Sequence, residues 1–219
     1  MSMTPFASAL AEALIAGLAF AILFGYHAIH FDTLRRSPRS TAIGLNAQAR
    51  RLWVEHIMAQ KADILAVQTM RNWTMAATFL ASTAIVLGLG FLNFALTSQG
   101  LNELATSFNL FGVTSHSLAI VKALTVTSVF LFAFIQFMLA VRFYNHSAFL
   151  INVPQVPGCQ ITPAVVSETV NRGARHYSIG MRSYYVAIPT VIWLLGPLWL
   201  LLATLIMTRL SWRLDHGLG

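Results

Sequence analysis

Residues 118–144 read LAIVKALTVTSVFLFAFIQFMLAVRFY, and this run decides the fold. Its only charges are Lys122 and Arg142, one near each end. A helix of this length rises about 40 Å, enough to cross a hydrocarbon core of roughly 30 Å. The run then passes into NHSAFLIN (145–152), placing Arg142, Asn145 and His146 where unpaired polar groups are costly unless they reach the interface or a partner.

Three further stretches have the same character: residues 9–31, 73–97 and 184–210. The whole 219-residue chain is 57% hydrophobic and 10% charged, against roughly 25% charged residues in an ordinary soluble domain. We expect a single all-α integral membrane domain over 1–219, with four transmembrane helices and a basic amphipathic cytoplasmic helix between spans one and two. Cys159 is the only cysteine, so no intrachain disulfide and no thiolate metal cluster can form. The absence of Lys/Arg runs interleaved with aromatics gives no reason to expect a nucleic-acid partner.

Loop charge sets the expected orientation. Connection 32–72 carries Arg35, Arg36, Arg39, Arg50, Arg51, Lys61 and Arg71, and connection 145–183 carries Arg172, Arg175 and Arg182. Both are assigned to the cytoplasm. Connection 98–117 has no Lys or Arg and is assigned outside. Both termini are then expected outside, against the dissent of Arg209 and Arg213, in a multi-pass protein of the cytoplasmic membrane if the source is bacterial.

Within the basic connection, Ala49, Leu52, Trp53, Ile57, Ile64 and Gln68 recur at helical spacing. This predicts the amphipathic helix, with a break near residues 60–63. Thr162 and Pro163 predict the start of a short helix. Pro189 and the GPLW run at 196–199 predict a bend in the fourth span. Small residues at every fourth position, Ala9, Ala13, Gly17, Ala21 and Gly25, form a stripe suited to close helix packing. Ala77, Ala81, Ala84 and Gly88 form another.

Four constellations could carry chemistry. His27, His30 and His146 fall at one expected depth, as ligands of a b-type haem or a metal would; hydration and backbone contacts at the interface are the plainer reading. Arg71, Arg142, Arg172, Arg175 and Arg182 could converge on an anion or a lipid headgroup, although ordinary positive-inside charges look alike. Glu55, Gln68, Asn72 and Asn145 could form a polar network at the cytoplasmic interface, Glu55 pairing with Arg142 or Arg51, while Asn93 and Gln136 could link helices. Glu12 and Lys122 could pair near the outer end, but separate snorkelling is the simpler expectation. HExxH, Walker A, GxSxG and GxGxxG motifs are absent, so enzymatic activity is not expected.

The blocks WVEHIM (53–58), AVQTMRN (66–72), FLAS (79–82), RFYNHSAFLIN (142–152) and WLLGP (193–197), taken in order, resemble the membrane family called domain of unknown function 599, found in bacteria and plants. The resemblance runs from YHAIH at Tyr26 to Asp215. It implies a four-span helical protein and no particular activity. Its polar positions here are Tyr26, His27, Trp53, Glu55, Gln68, Asn72, Arg142, His146, Arg172, Arg182 and Asp215; His30 is outside the pattern. The expected function is a non-enzymatic oligomeric or accessory membrane subunit, contacting lipid and a second copy or a larger complex. The rivals are an anion channel or transporter with a basic vestibule and a haem or metal subunit using His27 and His146.

Overall fold

The computed structural model describes residues 5–37, 41–97, 116–154 and 156–216. The described residues are helical, without strands: α1 (Pro5–Arg36), α2 (Ala42–Gln60), α3 (Asp63–Thr97), α4 (His116–Leu150), α5 (Pro163–Ile192) and α6 (Pro197–His216). The helices α1, α3 and α4 are long and apolar enough to cross a membrane. The connection expected outside, 98–117, lies almost wholly beyond the described residues.

Local signals explain the boundaries. The Thr41 hydroxyl accepts from Gly44 N at 3.2 Å and caps α2. Lys61, at φ 53°, ends it in the left-handed conformation, and α3 begins two residues later, so the expected break at 60–63 is present. Thr162 caps α5 with Pro163 in its first turn. The helix there is not short, however: it runs 30 residues, straight into the region expected to begin the fourth span.

Of the expected apolar face of α2, Ile57 is buried and Trp53 half-buried, while Ala49 is exposed. Val54, Ile57 and Met58 are buried with Ala66, Met70, Val166 and Val170. Leu45, Leu52 and Ile64 are exposed, Ile64 because it already belongs to α3.

Helices α3, α4 and α5 form an antiparallel layer. Phe130, Phe137 and Tyr144 recur every seven residues on α4, and α5 receives them with Ala187, Gly180 and Gly173. A Cβ built on Gly173 would lie 2.7 Å from the Tyr144 ring, and one on Gly180 would lie 2.8 Å from the Phe137 ring. The same rings also reach α3, where Ala77, Ala81 and Ala84 are buried with Ala133, Phe137, Ala140 and Tyr144 of α4.

The expected fourth span is not one helix. Trp193–Leu195 form a 3₁₀ turn, and Gly196, at φ 134°, takes a backbone that side-chain-bearing residues rarely adopt. The chain reverses there. Arg182 of α5 meets Asp215 of α6 at 2.5 Å, whereas a continuous helix would hold them about 50 Å apart. Thus α6 returns antiparallel to α5 and packs on α1. Glu12 of α1 touches Trp193 just before α6, and Tyr26 touches Asp215 at its end, so α1 and α6 run in the same direction.

Candidate functional site

Three polar sites are built on this frame. The first is a cleft of about 870 Å³ between the end of α1, α2 and α5. Arg35 comes from α1, Arg50 and Arg51 from α2, and Arg175 from α5, while Phe31 and Ile179 supply apolar wall. Arg50 is fixed by donating from Nε to Asn171 Oδ1 at 2.8 Å, and Asn171 Nδ2 donates to the Ala47 carbonyl at 3.3 Å. Burial lowers the Arg50 pKa from its ordinary value. Arg50 also borders a second cavity of about 320 Å³, beside Trp73, Tyr144 and Tyr177. Cations beside an apolar wall can hold an anionic headgroup and part of its chain.

The second site is an ion cluster between α1, α5 and α6. Asp215 accepts at Oδ1 from Arg182 Nη2 at 2.5 Å and at Oδ2 from the Tyr26 hydroxyl. His30 Nδ1 lies 3.1 Å from Asp215 Oδ2, and Arg182 Nη2 is 2.8 Å from His30 Nε2. Arginine can only donate, so the Arg182–His30 contact is a hydrogen bond in the tautomer that leaves Nε2 unprotonated. Removing one partner from such a buried pair leaves an uncompensated charge.

The third site closes the opposite end of α1. Lys122 Nζ meets Glu12 Oε1 at 2.8 Å, Trp193 Nε1 donates to the same oxygen at 3.0 Å, and the ammonium lies 5.3 Å from the Trp193 ring centroid. Glu12 and Lys122 are 5% and 4% exposed, so they pair inside the protein and do not snorkel apart.

The expected anion set does not converge. Arg71 and Arg142 are exposed on α3 and α4. Arg172 is exposed and paired with Glu168 one turn away on its own helix, at 3.3 Å. Of the five, only Arg175 lines the cleft, and Arg182 is committed to Asp215. The reason is helix geometry, since Arg172 and Arg175 point about 60° apart and Arg182 lies nearly two turns deeper.

The histidines also separate. His30 is in the ion cluster, His146 is exposed on α4, and His27 Nδ1 donates to the Leu23 carbonyl at 2.8 Å. No cluster of three or more His, Cys, Asp or Glu side chains suited to a metal forms among the described residues. Glu55, Gln68, Asn72 and Asn145 are all exposed, on outward faces of α2, α3 and α4. They make no network with one another, and Glu55 forms no ion pair among the described residues. Asn93 is exposed as well, while Gln136 Oε1 meets His176 Nδ1 at 2.7 Å and does link α4 to α5.

Ala9, Ala13, Gly17 and Ala21 face outward and Gly25 is half-exposed. A Cβ on Gly17 or Gly25 would meet nothing within 4 Å. Sequence reasoning missed the convergence of Arg35, Arg50 and Arg51 with Arg175 on one cleft, which only the docking of α2 reveals. Tyr26 and Asp215 were visible as family-like polar residues without an assigned role.

No curated protein and no solved structure gives a significant match to the chain. Residues 14–217, which include all three sites but Glu12, match the family described as "Protein of unknown function, DUF599", and the chain belongs to that family.

Proposed function

We propose that this chain is a non-enzymatic, multi-pass membrane protein that holds a phosphate-bearing amphiphile in the arginine cleft on the cytoplasmic side. The supporting observation is the meeting of Arg35, Arg50, Arg51 and Arg175 from three helices against an apolar wall. With the basic connections inside, α5 and α6 each cross and the chain makes five passes. The end of α6 then lies in the cytoplasm, which accommodates Arg209 and Arg213 and replaces the expectation of an outside C-terminus. A cysteine at Arg213, in a Cys159→Ser background, should react with an impermeant maleimide only from the cytoplasmic face.

The binding test is thermal stability in detergent with added phosphatidylglycerol, phosphatidylcholine or inorganic phosphate. Stabilisation by phosphatidylglycerol alone indicates a lipid site, and stabilisation by phosphate as well indicates a free-anion site. Arg51→Ala with Arg175→Ala should remove either effect. Equal responses to all three additives would sink the reading.

Permeation of an anion is the second reading, favoured by the position of Arg50 between the cleft and the smaller cavity. Chloride or phosphate flux into proteoliposomes that is lost in Arg50→Ala would support it. The outward stripe of α1 supports association with a second copy. Disulfide cross-linking of an Ala21→Cys variant, again in Cys159→Ser, tests that contact. The alternatives of a larger complex and of haem at His27 and His146 are tested by copurifying subunits and by a Soret band in protein from the native membrane.

A further inference from the structure

Glu12 and His30 are 18 residues apart on α1, five whole turns, so they share one face about 27 Å apart. That is close to the thickness of the hydrocarbon core. The outer ion pair and the inner ion cluster therefore mark the two ends of a single buried seam. Ala16, Ala19 and Leu23 continue the face between them, and all are buried.

Opposite runs a stripe of α6: Leu200, Thr204, Thr208, Ser211 and Asp215, at intervals of three and four. Leu200 packs with Ala16 and Ala19 of α1, which orients the stripe toward the seam. Two of its three hydroxyls behave unlike others among the described residues. Thr83, Thr125, Thr127, Ser147 and Thr190 each donate to a carbonyl one turn back in their own helix. Thr204 and Thr208 do not: both hydroxyls are buried with no partner among the described residues.

Further buried atoms without a partner among the described residues extend the series. They are Glu12 Oε2 at the outer end, His27 Nε2, and Arg182 Nη1 at the inner end. With His27 Nδ1 donating to Leu23, the neutral ring leaves Nε2 as an acceptor. Measured along the helices from the outer pair, Thr204, Thr208, His27 and the Asp215 cluster lie at about 10, 16, 22 and 27 Å. The later steps, about 5–6 Å each, are bridged by one or two waters and the first, about 10 Å, by a chain of about three, and buried polar atoms lacking protein partners are where internal waters bind.

The geometry points to a proton path between α1 and α6, from Glu12 through Thr204, Thr208 and His27 to the Tyr26–His30–Arg182–Asp215 cluster. A proton taken up by the free oxygen of Glu12 passes to a bound water. Each water or hydroxyl accepts one proton and releases another, and His27 accepts at Nε2 and returns it from Nε2 to the next water. No bond between heavy atoms changes, and the pH or potential difference across the membrane drives the transfer. The facing charged and titratable groups are Glu12, Tyr26, His27 and His30 on α1, Lys122 on α4, Arg182 on α5 and Asp215 on α6. None of them lines the arginine cleft, so the path and the cleft stand or fall separately.

The test is proton flux into liposomes containing the whole chain and a trapped pH-sensitive dye, driven by a potassium gradient with valinomycin. Wild type should acidify or alkalinise the lumen with the sign of the imposed potential. Thr204→Val keeps the shape and removes the hydroxyl, and it should reduce flux to the protein-free rate while Thr204→Ser retains it. Glu12→Gln should likewise lose flux. Thr208→Val provides the same comparison if Thr204→Val does not fold. A wild-type rate equal to that of empty liposomes overturns the proposal, as does undiminished flux in the folded valine variant and Glu12→Gln.

Discussion

The α3–α4–α5 layer and the α1–α6 seam solve the problem of packing in lipid by opposite means. In the layer, aromatic rings of α4 lie on glycines of α5, and Tyr184 of α5 donates to the Leu80 carbonyl of α3 at 2.7 Å. In the seam, helices meet through Glu12–Lys122 and His30–Arg182–Asp215, with further polar atoms left without a partner among the described residues. Lipid tails are as apolar as leucine, so shape complementarity supplies specificity in the first case. Buried charge supplies it in the second, and buried charge is retained in membranes mainly where it serves a purpose.

The sharpest break should come in the seam. Asp215→Ala strands Arg182, and a loss of about 3–5 kcal/mol is expected, read as a fall in the denaturation midpoint in detergent. Adding Arg182→Met should recover most of it; no recovery would mean that Asp215 acts through Tyr26 or His30 instead. Next is Gly180→Ala in the layer, where the new methyl meets the Phe137 ring and overpacking costs about 1–3 kcal/mol. Phe137→Leu should restore it, as measured by the same midpoint. Tyr184→Phe removes one interhelical hydrogen bond and should cost about 0.6 kcal/mol. The smallest effect is at Gly17, where Gly17→Ala should shift the midpoint by no more than about 0.5 kcal/mol, since nothing stands within 4 Å of the added methyl.

The helices were legible wherever local signals mark them. Length and hydropathy mark α1, α3 and α4, while Thr162–Pro163 and the polar break at 60–63 mark starts and stops. The hairpin at Gly196 was not legible, because residues 184–210 have the length of one crossing and a Gly-Pro pair bends helices as well as ending them. Arg209 and Arg213 were the available hint, since they contradict a single final crossing outward. Of the two small-residue stripes, the one on α3 is buried within the chain and the one on α1 faces outward; sequence spacing is identical in kind for both. The cleft lay beyond sequence because Arg50 and Asn171 are 121 positions apart. The Glu12–Lys122 pair was nearer to hand: two opposite charges at one expected depth, where pairing stabilises both.

The distance in sequence across the seam sets a schedule for its assembly. Tyr26 and Asp215 are 189 positions apart, and Glu12 and Trp193 are 181 apart. At a synthesis rate of about 5–20 residues per second, α1 precedes its partners by roughly 10–40 s. During that interval His30 and Tyr26 of α1 await Arg182 and Asp215, while α3 and α4 can already zip together and Lys122 of α4 is available to Glu12. The first helix made is therefore among the last to dock, and a nascent chain stalled before Asp215 presents open charges to the machinery that surveys the membrane.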